Sequence, residues 1–521
     1  MIINKVSGDA VVDICLDTAK LGKQSIVFVS TKKGAEACAE RVAMKLSLDE
    51  KAGLLAQEVE RVLSSPTKQC LRLGKVLRRG VAFHHSGLSS VQRRIIEDGF
   101  RAGSIRFICS TTTLGAGLDL PAFRSVIRDL KRFSPGWGQV PIPVLEYEQM
   151  AGRAGRPSFD LFGEAICVAS SSDEKDFFLD EYVNGSPEDI SSKLAVEPIL
   201  RMYVLSLISS GYASSFRELM DFLSLTLYAH QYKDLGRLES IILSVITSLE
   251  DFGFVVCSNK KSSFFQSANN LVSFGIEATR LGRRVSELYL DPLTAYDLIE
   301  GLKNAKEKVS AFSVLQLICS VNEMRPLMSI RKKDEELVNG LLLEHDLLTL
   351  EESSFSDYFY EFAGSVKTAH VLCEWMDERH EDFLFDEYNV TPGELNSKIE
   401  RANWVLYSCM ELAKIVPEIK REFLDLHIVR ERLIKGIREE LLPLVKFKGV
   451  GRVRARKLFN NRVRDVGDVK KVDINTLVDL IGESLAFSLK KQVGQDLSKE
   501  KVVVKKNKRK GQFNLNDFDG K

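Results

Sequence analysis

Five apolar runs of strand length, set between amphipathic stretches, constrain the first third of this chain more than any other feature. They are "QSIVFVS" (Gln24–Ser30), "GVAFHH" (Gly80–His85), "IRFICS" (Ile105–Ser110), "RSVIRD" (Arg124–Asp129) and "EAICVAS" (Glu164–Ser170). Each is rich in Val, Ile or Phe, and the segments between them, such as "KKGAEACAERVAMKL", are amphipathic. Strand and helix in alternation argue a parallel sheet, with the crossover helices packed on both of its faces. Residues 1–196 are therefore expected to form an α/β lobe.

Beyond about Glu197 the strand signal fades. Val204–Leu225 and Leu238–Phe252 read as helices, and "FGFVVCSNKKSSFFQ" as a hairpin around polar "SNKK". Helix, helix, hairpin is the winged-helix order, expected over residues 197–290. Helical periodicity then dominates residues 291–435, as in a bundle. Over residues 436–495 "LVKFKGVGRVRARKLF" opens a small helical module, a helix–hairpin–helix element. Gly449 and Gly451 permit a tight turn whose amides face a phosphate, and Arg452, Arg454 and Arg456 add charge. Residues 496–521 start with a basic run, "KVVVKKNKRK", too polar to bury and expected to be disordered. In "GQFNLNDFDGK" the spacing of Gln512, Leu515 and Phe518 looks like a partial sliding-clamp binding peptide, short of one aromatic because Asp519 follows.

The formal charge of +1 announces neither a nucleic acid nor a membrane, so any electrostatic footprint has to be local. Nine cysteines are scattered singly, with no CxxC pair and no metal-ligand spacing. That pattern reads as reduced thiols in a cytoplasmic protein. The start of the chain lacks a basic-then-apolar signal, and no apolar run approaches the length of a membrane span.

The chemistry-bearing strings lie in the α/β lobe. In "EYEQMAGRAGRP", Arg153 and Arg156 stand three apart among small residues, with Gln149 leading in. Guanidinium groups so presented neutralise the charge that spreads over a transferring phosphoryl. Upstream, "STTTLGAGLDLPAF" follows the strand Ile105–Cys109, and a Gly-containing turn at the carboxyl end of a parallel strand is where such sheets bind ligands. Before it, "HHSGL" ends another strand, and its amides and hydroxyls suit a phosphate.

In this order these strings resemble the second, RecA-like motor lobe of the superfamily 2 helicases, most closely the Ski-like branch and within it the archaeal branched-DNA helicases of the Hjm family. The resemblance implies an arginine finger at Arg156, with Arg153 and Gln149 beside it at the nucleotide. It places Gly117 and Asp119 in the same cleft, although the family more often has Asn at the latter position. Thr113 and the turn of His84, His85, Ser86, Gly87 and Leu88 would touch the translocated strand, and "RDLKRFSPGWGQVPIPVLEY" corresponds to a strand-separating hairpin. Further on, "GELNSKIERANWVLYSCMELA" resembles the family's ratchet helix, with Trp404 where an aromatic stacks on a base. The family's arginine two turns earlier is Ser397 here, with Lys398 next to it. The RAR string in the last domain grips or brakes single-stranded DNA in the family. By resemblance the cofactors are ATP and Mg²⁺, the polarity 3′ to 5′, the substrate forked DNA and the source archaeal.

A helicase motor also needs a loop ending GK[ST] and an acidic pair for magnesium. "LGKQS" and "LGKVL" do not supply the loop, and "DERH" at Asp377–His380 mimics an acidic box but sits in a helical stretch as a solvated end. Three expectations follow: a half-motor whose first lobe is a separate chain, which is favoured; a truncated product of a full-length helicase; or a DNA-binding, clamp-associated protein that does not hydrolyse ATP.

Overall fold

The structure is a computed structural model and describes residues 3–62, 66–115, 120–134, 138–155, 160–194, 196–258, 274–305, 309–349 and 358–495. The expected clamp-peptide residues and the basic tail lie outside these, as do Gly117, Asp119 and Arg156.

Each of the five predicted runs contains a strand. These are β1 (Ser25–Phe28), β2 (Val81–His84), β3 (Phe107–Ser110), β4 (Arg124–Ile127) and, after a separate hairpin of β5 (Lys131–Ser134) and β6 (Gly138–Pro141), β7 (Glu164–Cys167). All five sheet strands are parallel, in the order β2-β3-β1-β4-β7. The three inner strands and the edge strand β2 are buried along their whole length, as a sheet covered on both faces requires. The covering helices are α1 (Ala10–Lys20), α2 (Lys32–Met44), α3 (Glu50–Glu60), α4 (Lys68–Leu77), α5 (Ser90–Arg101), α6 (Val144–Ala151) and α7 (Ser172–Phe178). Because β3 and β4 flank β1 on opposite sides, the strand order reverses there, and the carboxyl ends of these three strands form the rim where ligands bind in such sheets. Arg124, 1% exposed, ties the lobe together from the start of β4, donating to Asp17 at 2.8 Å and Glu164 at 2.6 Å.

The single helix expected at Val204–Leu225 is two: α8 (Glu197–Ser209) and α9 (Phe216–Ser224). Gly211 between them has φ +73°, and Ser215 caps the second by accepting from the Glu218 amide, so the backbone turns where side-chain periodicity alone runs on. After α10 (Leu227–Tyr232) and α11 (Leu235–Asp251), β8 (Val255–Ser258) pairs antiparallel with β9 (Gly275–Ala278). The partner strand thus lies well beyond "SNKK", since it is Ile276 and Ala278 that alternate into the core. Next come α12 (Arg280–Glu287), α13 (Pro292–Lys303), α14 (Ala311–Ser320), α15 (Glu335–Glu344), α16 (Phe359–Met376), α17 (Glu381–Tyr388), α18 (Pro392–Ala413) and α19 (Phe423–Lys435). One continuous apolar core runs from Leu200 to Leu433, across the expected boundary at 290, and the buried pair Arg201–Asp291 bridges it at 2.9 Å. A separate core from Ile437 to Val493 holds α20 (Leu442–Val445), α21 (Arg452–Asn460), α22 (Val466–Lys471), α23 (Ile474–Ile481) and α24 (Glu483–Gln492).

Candidate nucleotide and nucleic-acid site

At the rim, the segment after α6 is pinned from both sides. Ser125 on β4 donates to the Met150 carbonyl at 2.6 Å, and Ala122 and Gly155 exchange with the loop through Ala122 N to Arg153 O (2.8 Å) and Gly155 N to Ala122 O (2.6 Å). Gly155 has φ +93°, and a Cβ on Gly163 would stand 2.1 Å from its nitrogen, so two glycines let the strands of this loop pass in contact. Arg153 donates from Nε and Nη2 to the Gly115 carbonyl, at 3.0 and 2.6 Å. This joins the two strings that the sequence left 38 residues apart, the arginine motif and the threonine-rich turn. Gln149 is exposed on α6. Thr113 sits on the turn after β3 and shares a 3.0 Å hydrogen bond with Thr111.

The two histidines are not where a phosphate meets a side chain. His84 is 3% exposed and bonds Glu97 at 3.0 Å, and His85, fully buried, stacks on Phe83 with its Nδ1 accepting from the Gly87 amide. Burial holds His84 below the usual imidazole value against the pull of Glu97, which favours its neutral form. Their role here is to shape the turn, which leaves Ser86 as its exposed member.

That turn meets the long helix. α18 begins with Pro392 at its first position and a capping box in which Thr391 and Glu394 satisfy each other's amides. The Gly393 amide donates to Gly87 O at 3.0 Å, and a Cβ there would lie 2.3 Å from Ser86 O. Lys32 of the lobe pairs with Glu394 across the same seam. Behind it lies a cavity of about 400 Å³ whose lining includes Lys32, Ser86, Arg331, Ser397, Lys398 and Arg401. Ser86 and Lys398, proposed separately from sequence, thus share one cation-rich cleft. Burial lowers Lys398 from its usual value, and its ammonium is held by the carbonyls of Met324 and Pro326. Six residues on, about 9 Å along the helix, Trp404 is half-exposed and donates from Nε1 to Leu288 O at 3.2 Å. Tyr407 lies exposed one turn further, on the same face, and was not singled out from sequence although its i+3 spacing could have found it.

The RAR string divides. Arg452 lies over the Trp375 ring at 4.3 Å, and Arg456 donates to both Glu378 (2.8 and 2.6 Å) and Glu440 (2.8 Å). Arg454 is exposed and donates to Gly449 O at 2.9 Å, beside the turn of Gly449 and Gly451. Glu378 of "DERH" is therefore not a solvated helix end: at 13% exposure it holds the small domain on the bundle.

Residues 8–158 match a model described as helicase conserved C-terminal domain, and residues 312–436 one described as archaeal helicase, domain 4. A protein of Methanocella arvoryzae named ATP-dependent DNA helicase Hel308 is 36% identical over 99% of this chain and 69% of its own length. The chain belongs to the Hel308 family. Hel308 relatives of the same name from Caldivirga maquilingensis (34% identical, 96% of this chain, 67% of the relative) and Pyrobaculum calidifontis (36%, 94%, 67%) align equally broadly. The chain spans about two thirds of the length of these relatives. Among the described residues no group of three or more His, Cys, Asp or Glu is placed to hold a metal, and no helix is long and apolar enough to cross a membrane.

Proposed function

We propose that this chain is the strand-gripping half of an ATP-dependent DNA helicase, working 3′ to 5′ on forked or branched DNA in replication and repair in the archaeal cytoplasm. The observation that carries the reading is the seam between lobe and bundle: the turn bearing Ser86 seats directly on the helix bearing Lys398 and Trp404. A strand crossing that seam would be held by a motor element and a ratchet element at once. On this reading the β5–β6 hairpin separates strands, residues 197–290 form a winged helix that closes the assembly, and Arg454 with the Gly449–Gly451 turn touches the strand as it leaves.

For the nucleotide, Arg153 and Gln149 fit an anion, and with Arg156 they would place positive charge where the transferring phosphoryl develops negative charge. Gly117 and Asp119 would line the same cleft, while Thr113 would touch the translocated strand. Magnesium finds no ready ligand set among the described residues, and no GK[ST] occurs in the 521 residues. ATP and Mg²⁺ would be held mainly by a phosphate-binding lobe outside these 521 residues; the terminal peptide of Gln512, Leu515 and Phe518 would tether the whole to a sliding clamp.

The test is ATP turnover with saturating forked DNA, for the chain alone and with a Hel308 first lobe supplied. Turnover should require the added lobe and should vanish with Arg156→Ala, while DNA binding persists in both. Turnover by these 521 residues alone would sink the reading that the phosphates are held outside them. Unchanged turnover in Arg156→Ala would remove the finger assignment. DNA binding with no turnover even when the lobe is present would leave the non-hydrolysing, clamp-associated protein as the better account.

A further inference from the structure

α12 and α18 lie antiparallel, one from residues 197–290 and one from the bundle. Trp404 of α18 bonds the carbonyl of Leu288 at the end of α12 (3.2 Å), and seven residues further along α18 Glu411 meets Arg284, four residues back along α12 (2.6 Å). Beyond that contact the two helices part around a cavity of about 460 Å³, lined by Arg280, Arg283, Arg284 and Lys414 with Glu287 and Glu411. The carboxylates are already engaged: Arg284 takes both at 2.6 Å, and Lys414 takes Glu411 at 2.6 Å. Arg280 and Arg283 are exposed, and neither forms an ion pair among the described residues. Arg283 donates from Nε to the Ala278 carbonyl at 3.2 Å, so the groove holds two exposed guanidinium groups with no carboxylate partner among the described residues, over a floor whose own charges are balanced.

Its position gives this surplus a direction. Ser397, Arg401, Trp404, Tyr407, Glu411 and Lys414 recur at three- and four-residue spacing, so they line one face of α18. The cleft with Ser86 and Lys398 is at the start of that face, the exposed aromatics are in its middle, and the arginine groove is at its end. Cations alternating with exposed rings along a line are how single strands are tracked without sequence preference.

We propose that the groove between α12 and α18 is a second phosphate-binding site, taking the backbone of the single DNA strand beyond Trp404. It rests on the DNA-binding reading above. Arginine suits this use, since its fork pairs with phosphate oxygens two at a time. The strand would thus be gripped at both ends of the helix, and the arginines of residues 197–290 would carry load that the bundle alone does not.

The experiment is equilibrium binding of fluorescent oligothymidylates of increasing length to the full chain, each over a range of salt. In the wild type, affinity should climb with length until the strand fills the groove. Arg280→Ala/Arg283→Ala should stop climbing earlier, bind the longest strand on the order of tenfold more weakly, and lose about 1.4 from the slope of log K against log salt, about 0.7 for each phosphate contact. Short strands should bind as in the wild type, and Arg280→Lys/Arg283→Lys should recover most of the loss. A double alanine variant that matches the wild type at every length, while Trp404→Ala weakens binding, would overturn the groove and leave the DNA reading standing. If the wild type binds no length at all, the DNA reading fails and the groove with it. Equal weakening at all lengths would also overturn it, because the arginines would then act through general charge.

Discussion

Single side chains show how costly charge is managed in the bundle. Asp334 and Lys367 are 4% and 2% exposed and 2.7 Å apart. Burial pushes the Asp334 carboxyl up, but donation from Lys367, from the Arg331 side chain and from the Arg331 amide overrides it and holds the group down to about 2. Burial pulls Lys367 down as well, the opposite of what its partner's charge does. The carboxylate's direction decides the sign here, because three donors converge on it. As pH falls the unfolded chain takes up this proton first, so the stabilisation is complete above about pH 5 and drains away toward pH 2. Asp334→Asn should cost roughly 3–5 kcal/mol at pH 7 by leaving Lys367 buried and unpaired. Urea unfolding at pH 7 and pH 3 should show that gap narrowing in acid; a gap that is the same at both would mean the pair is not ionised in the fold.

At the scale of elements, the seat of α18 on the lobe depends on an atom that is missing. Only a residue without Cβ lets the Gly393 amide reach Gly87 O, since a Cβ would lie 2.3 and 2.5 Å from the carbonyl oxygens of Ser86 and Leu88. Gly393→Ala should force the helix off the turn at a cost of about 1–3 kcal/mol, as overpacking does. The expected readout is a split of thermal unfolding into separate lobe and bundle transitions, with secondary structure unchanged. Lys32→Ala, across the same seam, should cost under about 1 kcal/mol because that pair is more than a third exposed. A single, unshifted transition in Gly393→Ala would show that the seam contributes nothing to cohesion. From sequence the helix was placed from Gly393 onward; its cap at Thr391, Pro392 and Glu394, and what that cap is pressed against, came from the structure.

For the molecule as a whole, the small C-terminal domain is docked through two of the three arginines that the sequence assigned to DNA. Arg456→Ala should loosen it, raising protease sensitivity in residues 436–451, because Glu378 and Glu440 both lose their partner. Arg454→Ala should leave docking intact and lower the salt slope of DNA binding by about 0.7. The reverse pattern would return Arg456 to the strand. This division marks the limit of what order along the chain can tell. The five strands, α18 and the glycine turn before α21 were determined by the sequence alone, because alternation, capping and positive-φ positions act between residues a few places apart. So was the order of motifs that announces the family. Tertiary structure decided which polar groups those elements spend on each other. It buried His84 and His85, bound Arg153 to Gly115, gave Arg452 and Arg456 to the bundle, and opened an arginine groove between helices more than a hundred residues apart. Those outcomes depend on which distant surfaces exclude water together, and hydrophobic burial is non-directional, so no local pattern encodes its partner.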